Sequence, residues 1–140
     1  MKKVFKNLAI CCVVAVCLMF VGCGKGKVEY NWKCDTKINT YQDTENKDLY
    51  AIKIELLILN GKATINASDF RYVQNGETIQ ARDFVGQKHY SSSTGSTPKT
   101  VVNTKKQSVN ASETSGVILE LIVESDLEIT AVYYKNQKIS

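Results

Sequence analysis

The chain has 140 residues, 44% of them hydrophobic and 23% charged, with five cysteines and a formal net charge of +4 at pH 7. That length supports one domain behind a short leader and excludes a multidomain assembly. The positive charge is unevenly placed, and its distribution decides which partners it can argue for.

The first predicted element is a leader. Lys2, Lys3 and Lys6 form a basic start, and an uncharged, mostly apolar run follows from Leu8 to Val21. The run is too short for the ~20 apolar residues a membrane-spanning helix needs, but it suits a signal peptide. Phe20-Val21-Gly22-Cys23-Gly24 comes next, with small Gly22 where a cleavage site requires one. This stretch resembles the lipobox of bacterial lipoproteins. The resemblance implies cleavage between Gly22 and Cys23, and a diacylglyceryl thioether on Cys23. It implies a protein held on the extracytoplasmic face of the cell membrane, in a Gram-positive envelope, with residues 1–22 removed. Two acyl chains hold stably where one gives marginal binding. The rival readings are an uncleaved membrane helix and an ordinary secretory signal with an incidental cysteine.

Removing the leader changes the composition. It carries three of the 18 basic residues and none of the 14 acidic ones, so 15 basic residues face 14 acidic ones, a net +1. A near-neutral domain has no electrostatic footprint for nucleic acid, and none is expected as a partner. Cys11, Cys12 and Cys17 leave with the signal, and lipid consumes Cys23. Cys34 is then the single remaining thiol, no internal disulfide can form, and packing must hold the fold.

Residues 23–27 read as a lipidated tether, and 28–140 as the folded domain. Val28, Tyr30 and Trp32 alternate with polar residues and predict a first strand. Asp35 to Asp48 is polar and reads as a loop or irregular edge. Tyr50 to Leu59 is the strongest strand, with Ile52, Ile54, Leu56 and Ile58 on one face, and Asn60-Gly61 predicts a turn after it. Asp69–Gln74 and Glu77–Ala81 flank Asn75-Gly76, a hairpin signal because both residues tolerate positive φ. The Tyr90 to Pro98 stretch is rich in Ser and Thr and predicts a loop. Thr100 to Val109 reads as a weak edge strand. Val117–Val123 and Leu127–Tyr134 close the chain as two strong strands, the latter with Ile129, Ala131 and Tyr133 opposing Thr130, Val132 and Tyr134.

About seven strands without helical periodicity predict an all-β fold, an immunoglobulin-like antiparallel sandwich behind a cleaved signal helix. From Tyr50 to Tyr134 the order is a strand ending Leu59-Asn60-Gly61, a segment around Ala67-Ser68-Asp69-Phe70, a hairpin, a turn at Ala111-Ser112-Glu113 and two last strands. It resembles the immunoglobulin-like, telokin-like or DUF4352-type, lipoprotein domains of Gram-positive bacteria. That group implies a fold and no common activity.

The residues offer little catalytic chemistry. Asp83, His89 and Ser91–Ser93 contain the types of a hydrolytic triad, but no nucleophile elbow accompanies them. Asp43, Glu45 and Asp48 form a tight acidic cluster that could take a hard cation or lie solvated. Its spacing is not that of an EF-hand. No cofactor and no metal centre are expected. The leading expectation is a non-enzymatic envelope lipoprotein that binds a protein or glycan. Its candidate binding loop is Tyr90, Ser91, Ser92, Ser93 and Thr94. The alternatives are an accessory role in transport, envelope machinery or phage exclusion, and a small hydrolase.

Overall fold

In the computed structural model the described residues are 28–91, 95, 97–113 and 116–140. The expected signal peptide and tether, with Gly22 and Cys23, lie outside them, as do Ser92, Ser93 and Thr94 of the expected binding loop.

The central pair is β1 (Glu29–Gln42) and β2 (Asp48–Asn60), which run antiparallel. On the other side of β2 lies β11 (Val117–Val123), also antiparallel. Four short strands complete this seven-stranded sheet: β6 (Phe84–Val85), β7 (Lys88–Ser91), β8 (Lys99–Val102) and β9 (Lys105–Lys106). A second sheet holds β4 (Phe70–Gln74), β5 (Glu77–Gln80), β12 (Ile129–Tyr134) and β13 (Gln137–Lys138), with β5 at its edge. A two-stranded ribbon joins β3 (Lys62–Asn66) to β10 (Ser108–Ser112). The fold is an all-β sandwich. Every ladder is antiparallel except a single parallel bridge between Gln42 and Val101.

Period-two patterning decides the core. Ile52, Ile54, Leu56 and Ile58 of β2 point inward with Leu119 and Leu121 of β11. They meet Phe70 and Tyr72 of β4 and Val132 and Tyr134 of β12. Full burial of each large aliphatic side chain contributes ~1.5–3 kcal/mol. Aromatic rings fill one end: Trp32 lies 4.7 Å from Tyr134 and 5.6 Å from Phe70, centroid to centroid. Burial, and then neighbouring Tyr30, push the Tyr134 phenol far above its ordinary pKa.

Among the described residues there are thirteen strands, where the sequence predicts about seven. The polar stretch after Asp35 is no loop. It continues β1 to Gln42, because Thr36 and Ile38 keep the alternation on the core side. A register irregularity between Asp35 and Asn39 accommodates it, and the Asp35 carboxylate accepts the Lys37 N–H at 3.0 Å. Asn60-Gly61 makes no hairpin. Gly61, at φ +83°, kinks the chain out of one sheet and into the ribbon, and its carbonyl accepts the Glu113 N–H. Asn75-Gly76 does form the expected turn, at φ +54° and +78°. The stretch 100–109 divides among β8, β9 and β10. In the last strand a bulge between Ile129 and Ala131 reverses the alternation, so Val132 and Tyr134 face the core. Tyr133 stays outside, under the Arg71 guanidinium.

Candidate functional site

A concavity of about 960 Å³ opens between elements of the two sheets. Its one wall is β5, through Thr78 and Gln80; the other is the end of β11, through Val123 and Glu124. Local hydrogen bonds hold both walls. The Tyr72 hydroxyl accepts the Glu124 N–H at 2.9 Å, and the Gln80 amide donates to the Ser68 carbonyl at 2.7 Å. The Ala81 N–H donates to Phe70 and the Ile122 N–H to Asp83, which fixes the segment between β5 and β6. Burial raises the Tyr72 phenol pKa, so it remains a neutral hydroxyl near neutral pH.

Edge position gives β5 a recognition capacity. Gln74 and Glu77 close a two-residue hairpin and form its hydrogen-bonded pair. Alternation then turns the backbone groups of Thr78 and Gln80 away from β4, toward the groove side. An extended polymer could pair with them. Arg82, Asp83 and Glu124 place both charge signs at the rim, which suits a polar ligand of low net charge.

The outer face of the seven-stranded sheet carries a second constellation. The Tyr41 hydroxyl donates to Glu120 Oε2 at 2.6 Å, and Lys88 Nζ lies 2.5 Å from Glu120 Oε1. Lys88 also stands 4.9 Å from the Tyr41 ring centroid. Desolvation and then the Glu120 hydrogen bond raise the Tyr41 pKa. Burial alone would lower the Lys88 ammonium, but the Glu120 carboxylate outweighs it and the net shift is upward. The trio pins β7 over a small apolar cluster of Leu49, Ala51, Val85 and Val102. Glu120 is half-buried on this face of β11. Its closeness to Tyr41 and Lys88, 79 and 32 residues away, has no local signal.

The candidate loop residues separate. Tyr90 and Ser91 belong to β7, and Tyr90 is 69% exposed. The hydrolytic trio does not assemble among the described residues. Asn103 Oδ1, just past β8, accepts a hydrogen bond from His89 Nδ1 at 2.6 Å, while Asp83 sits before β6 with its carbonyl accepting the Ile122 N–H. The acidic cluster is a turn device. Asp43 Oδ1 accepts the Glu45 and Lys47 N–H groups at 2.7 and 2.9 Å, which lowers its pKa. Asp48 takes the Gln42 amide, and Glu45 pairs with Lys47. No group of three potential ligands could hold a metal among the described residues. Cys34 is partly buried, and desolvation followed by Asp35 pushes its thiol to about 11.

No helix among the described residues is long and apolar enough to cross a membrane. Comparison with protein-family models, characterised proteins and solved structures finds no match.

Proposed function

We propose that this chain is a lipid-anchored, non-enzymatic binding module on the extracytoplasmic face of a bacterial membrane, engaging a protein or glycan of the envelope. The observation that carries the reading is the basic start, the apolar run Leu8 to Val21 and Gly22-Cys23, with only residues 24–28 between that cysteine and the first strand at Glu29. The resemblance to immunoglobulin-like lipoprotein domains and the all-β sandwich fit it. The groove bounded by β5 and the end of β11 is the recognition surface the fold best prepares, and exposed Tyr90 on β7 is a second contact point.

Two measurements test it. Mass spectrometry of the membrane-extracted chain should give an N-terminus at Cys23 carrying a diacylglyceryl thioether, and Cys23→Ala should move the chain out of the membrane fraction. An unmodified mature N-terminus elsewhere refutes the anchor. Photo-crosslinking amino acids at Thr78 and at Tyr90, in intact cells, should capture one defined envelope component from Thr78. Equal, diffuse capture from both positions and from a remote site such as Lys62 refutes the groove.

A further inference from the structure

The outer face of the seven-stranded sheet is covered by its own chain over only half its length. Along β2, Leu49 and Ala51 are buried there, Lys53 and Glu55 are half-buried, and Leu57 and Leu59 are 42% and 52% exposed. On β11, Ile118 stands opposite Glu55, on the same face and diagonal to Leu57, and is 62% exposed. Three large aliphatic side chains thus form one uncovered patch. The flanking charges Lys33 and Glu55 stand directly opposite each other across the β1–β2 ladder, and exposed Glu29, paired with Asn60, adds one carboxylate at the Leu59 end.

The register says what lies beside this patch. Glu29 pairs with Asn60, and Asn31 with Leu57, so the chain joins the sheet at the Leu57–Leu59 end. Six Cα steps separate Cys23 from Glu29, a reach of at most ~20 Å. Lys25 and Lys27 fall within those steps and Lys62 follows Gly61, placing cations by sequence around the same end.

We propose that the Leu57–Leu59–Ile118 patch docks on the surface of the membrane that holds the Cys23 lipid, so that the domain lies on the bilayer by this face rather than swinging freely. This rests on the lipid anchor proposed above. Short tethering raises the local concentration of lipid at the patch, and three exposed aliphatic side chains suit the headgroup–acyl boundary.

The test uses the full lipidated chain in vesicles of phosphatidylglycerol and phosphatidylethanolamine, in a Cys34→Ser background. A solvent-sensitive dye is placed by Ile118→Cys or, for comparison, Tyr90→Cys. Iodide in the aqueous phase should quench the dye at 118 about threefold less than the dye at 90, as interfacial burial requires. Leu57→Ser with Leu59→Ser should restore quenching at 118. Equal quenching at both sites on a chain whose Cys23 carries lipid overturns the docking and leaves the anchor standing. A mature chain without lipid on Cys23 overturns both. Protection at 118 that coincides with a dimeric mass and persists in detergent assigns the patch to a second copy and overturns lipid docking.

Discussion

Gln74 is the one buried polar side chain among the described residues, at 2% exposure, and its two ends are unequal. Its amide nitrogen donates to the Ser125 and Leu127 carbonyls at 2.9 and 2.7 Å, tying β4 to the β11–β12 turn, while its Oε1 has no partner. Gln74→Met removes two neutral hydrogen bonds, about 0.5–1.5 kcal/mol each, and also removes an unsatisfied buried acceptor that costs ~1–3 kcal/mol. The two carbonyls belong to a half-exposed and an exposed residue, so water can reach them again. The terms nearly cancel, and the net loss should be under about 1 kcal/mol. Gln74→Glu behaves differently. At neutral pH it buries a carboxylate against two carbonyl oxygens, with no donor to offset desolvation, and should cost at least ~3 kcal/mol. Its pKa in the fold must then lie above the unfolded value of about 4.3. A raised acid pKa gives stability that is fully present below the unfolded pKa and lost as pH rises, so the deficit should shrink toward about 1 kcal/mol near pH 4. Urea unfolding of the three proteins at both pH values measures this. Gln74→Glu matching the wild type at neutral pH, or Gln74→Met losing several kcal/mol, would refute the reasoning.

Three further outcomes follow from the geometry. Cys34, with its thiol pushed to about 11, should react with iodoacetamide near pH 8 about a hundredfold more slowly than a free thiol, and normally once the chain is unfolded in urea. Gly86→Ala would set a Cβ 2.4 Å from Thr104 Oγ1 and 2.7 Å from its carbonyl oxygen, whereas Gly76→Ala meets only open space at φ +78°; thermal melts should show a loss of ~2–3 kcal/mol for the first and ~1 kcal/mol for the second, and the reverse order would be wrong. Because Tyr41 and Lys88 both have raised pKa values, their contribution is present below about pH 10 and lost above it, so wild type should lose denaturation midpoint between about pH 9 and 11 more steeply than Glu120→Gln. Parallel curves would show that the trio does not contribute to stability.

The strands with strict alternation were legible, because one buried face writes a period of two into the sequence. Val117–Val123 and the Asn75-Gly76 hairpin appear as read, and Tyr50–Leu59 is a strand, but its apolar end at Leu57 and Leu59 is exposed on one face instead of buried on both. The failures share a cause, the absence of any local mark for long-range pairing. Residues 35–42 look like a loop because they are mostly polar, yet β2 pairs with Asp35 and with residues 39–42 on either side of an irregularity. Asn60-Gly61 does end β2, as its turn dipeptide implies; what it does not mark is that the chain beyond it pairs with β10 and not with β2. The alternation after Leu127 predicts Tyr133 inside; a bulge against β4, invisible in composition, puts Tyr134 there instead. The groove was not legible at all. Its walls come from residues 78–80 and 122–124, and neither stretch carries a chemical signature on its own.

The direction of the strands links the two surfaces. β11 runs from Ile118, in the uncovered apolar patch, to Val123, in the groove wall. Five residues of strand span ~17 Å. If the outer face rests on lipid, the strand lies along the bilayer and that distance is lateral; the β5 wall, which belongs to the second sheet, is lifted instead by the ~10 Å spacing of stacked sheets, beyond the ~8 Å over which membrane charge is felt at physiological salt. That wall would then sample bulk solvent, where a polar polymer of the envelope can reach it. The same geometry explains the uneven cover on the outer face. The β6–β9 segment shields the far half, where Leu49 and Ala51 would otherwise meet water, and among the described residues nothing covers Leu57 and Leu59, the half where β1 begins. A soluble domain would gain by covering both halves; a domain tethered by at most ~20 Å has the bilayer to cover the second.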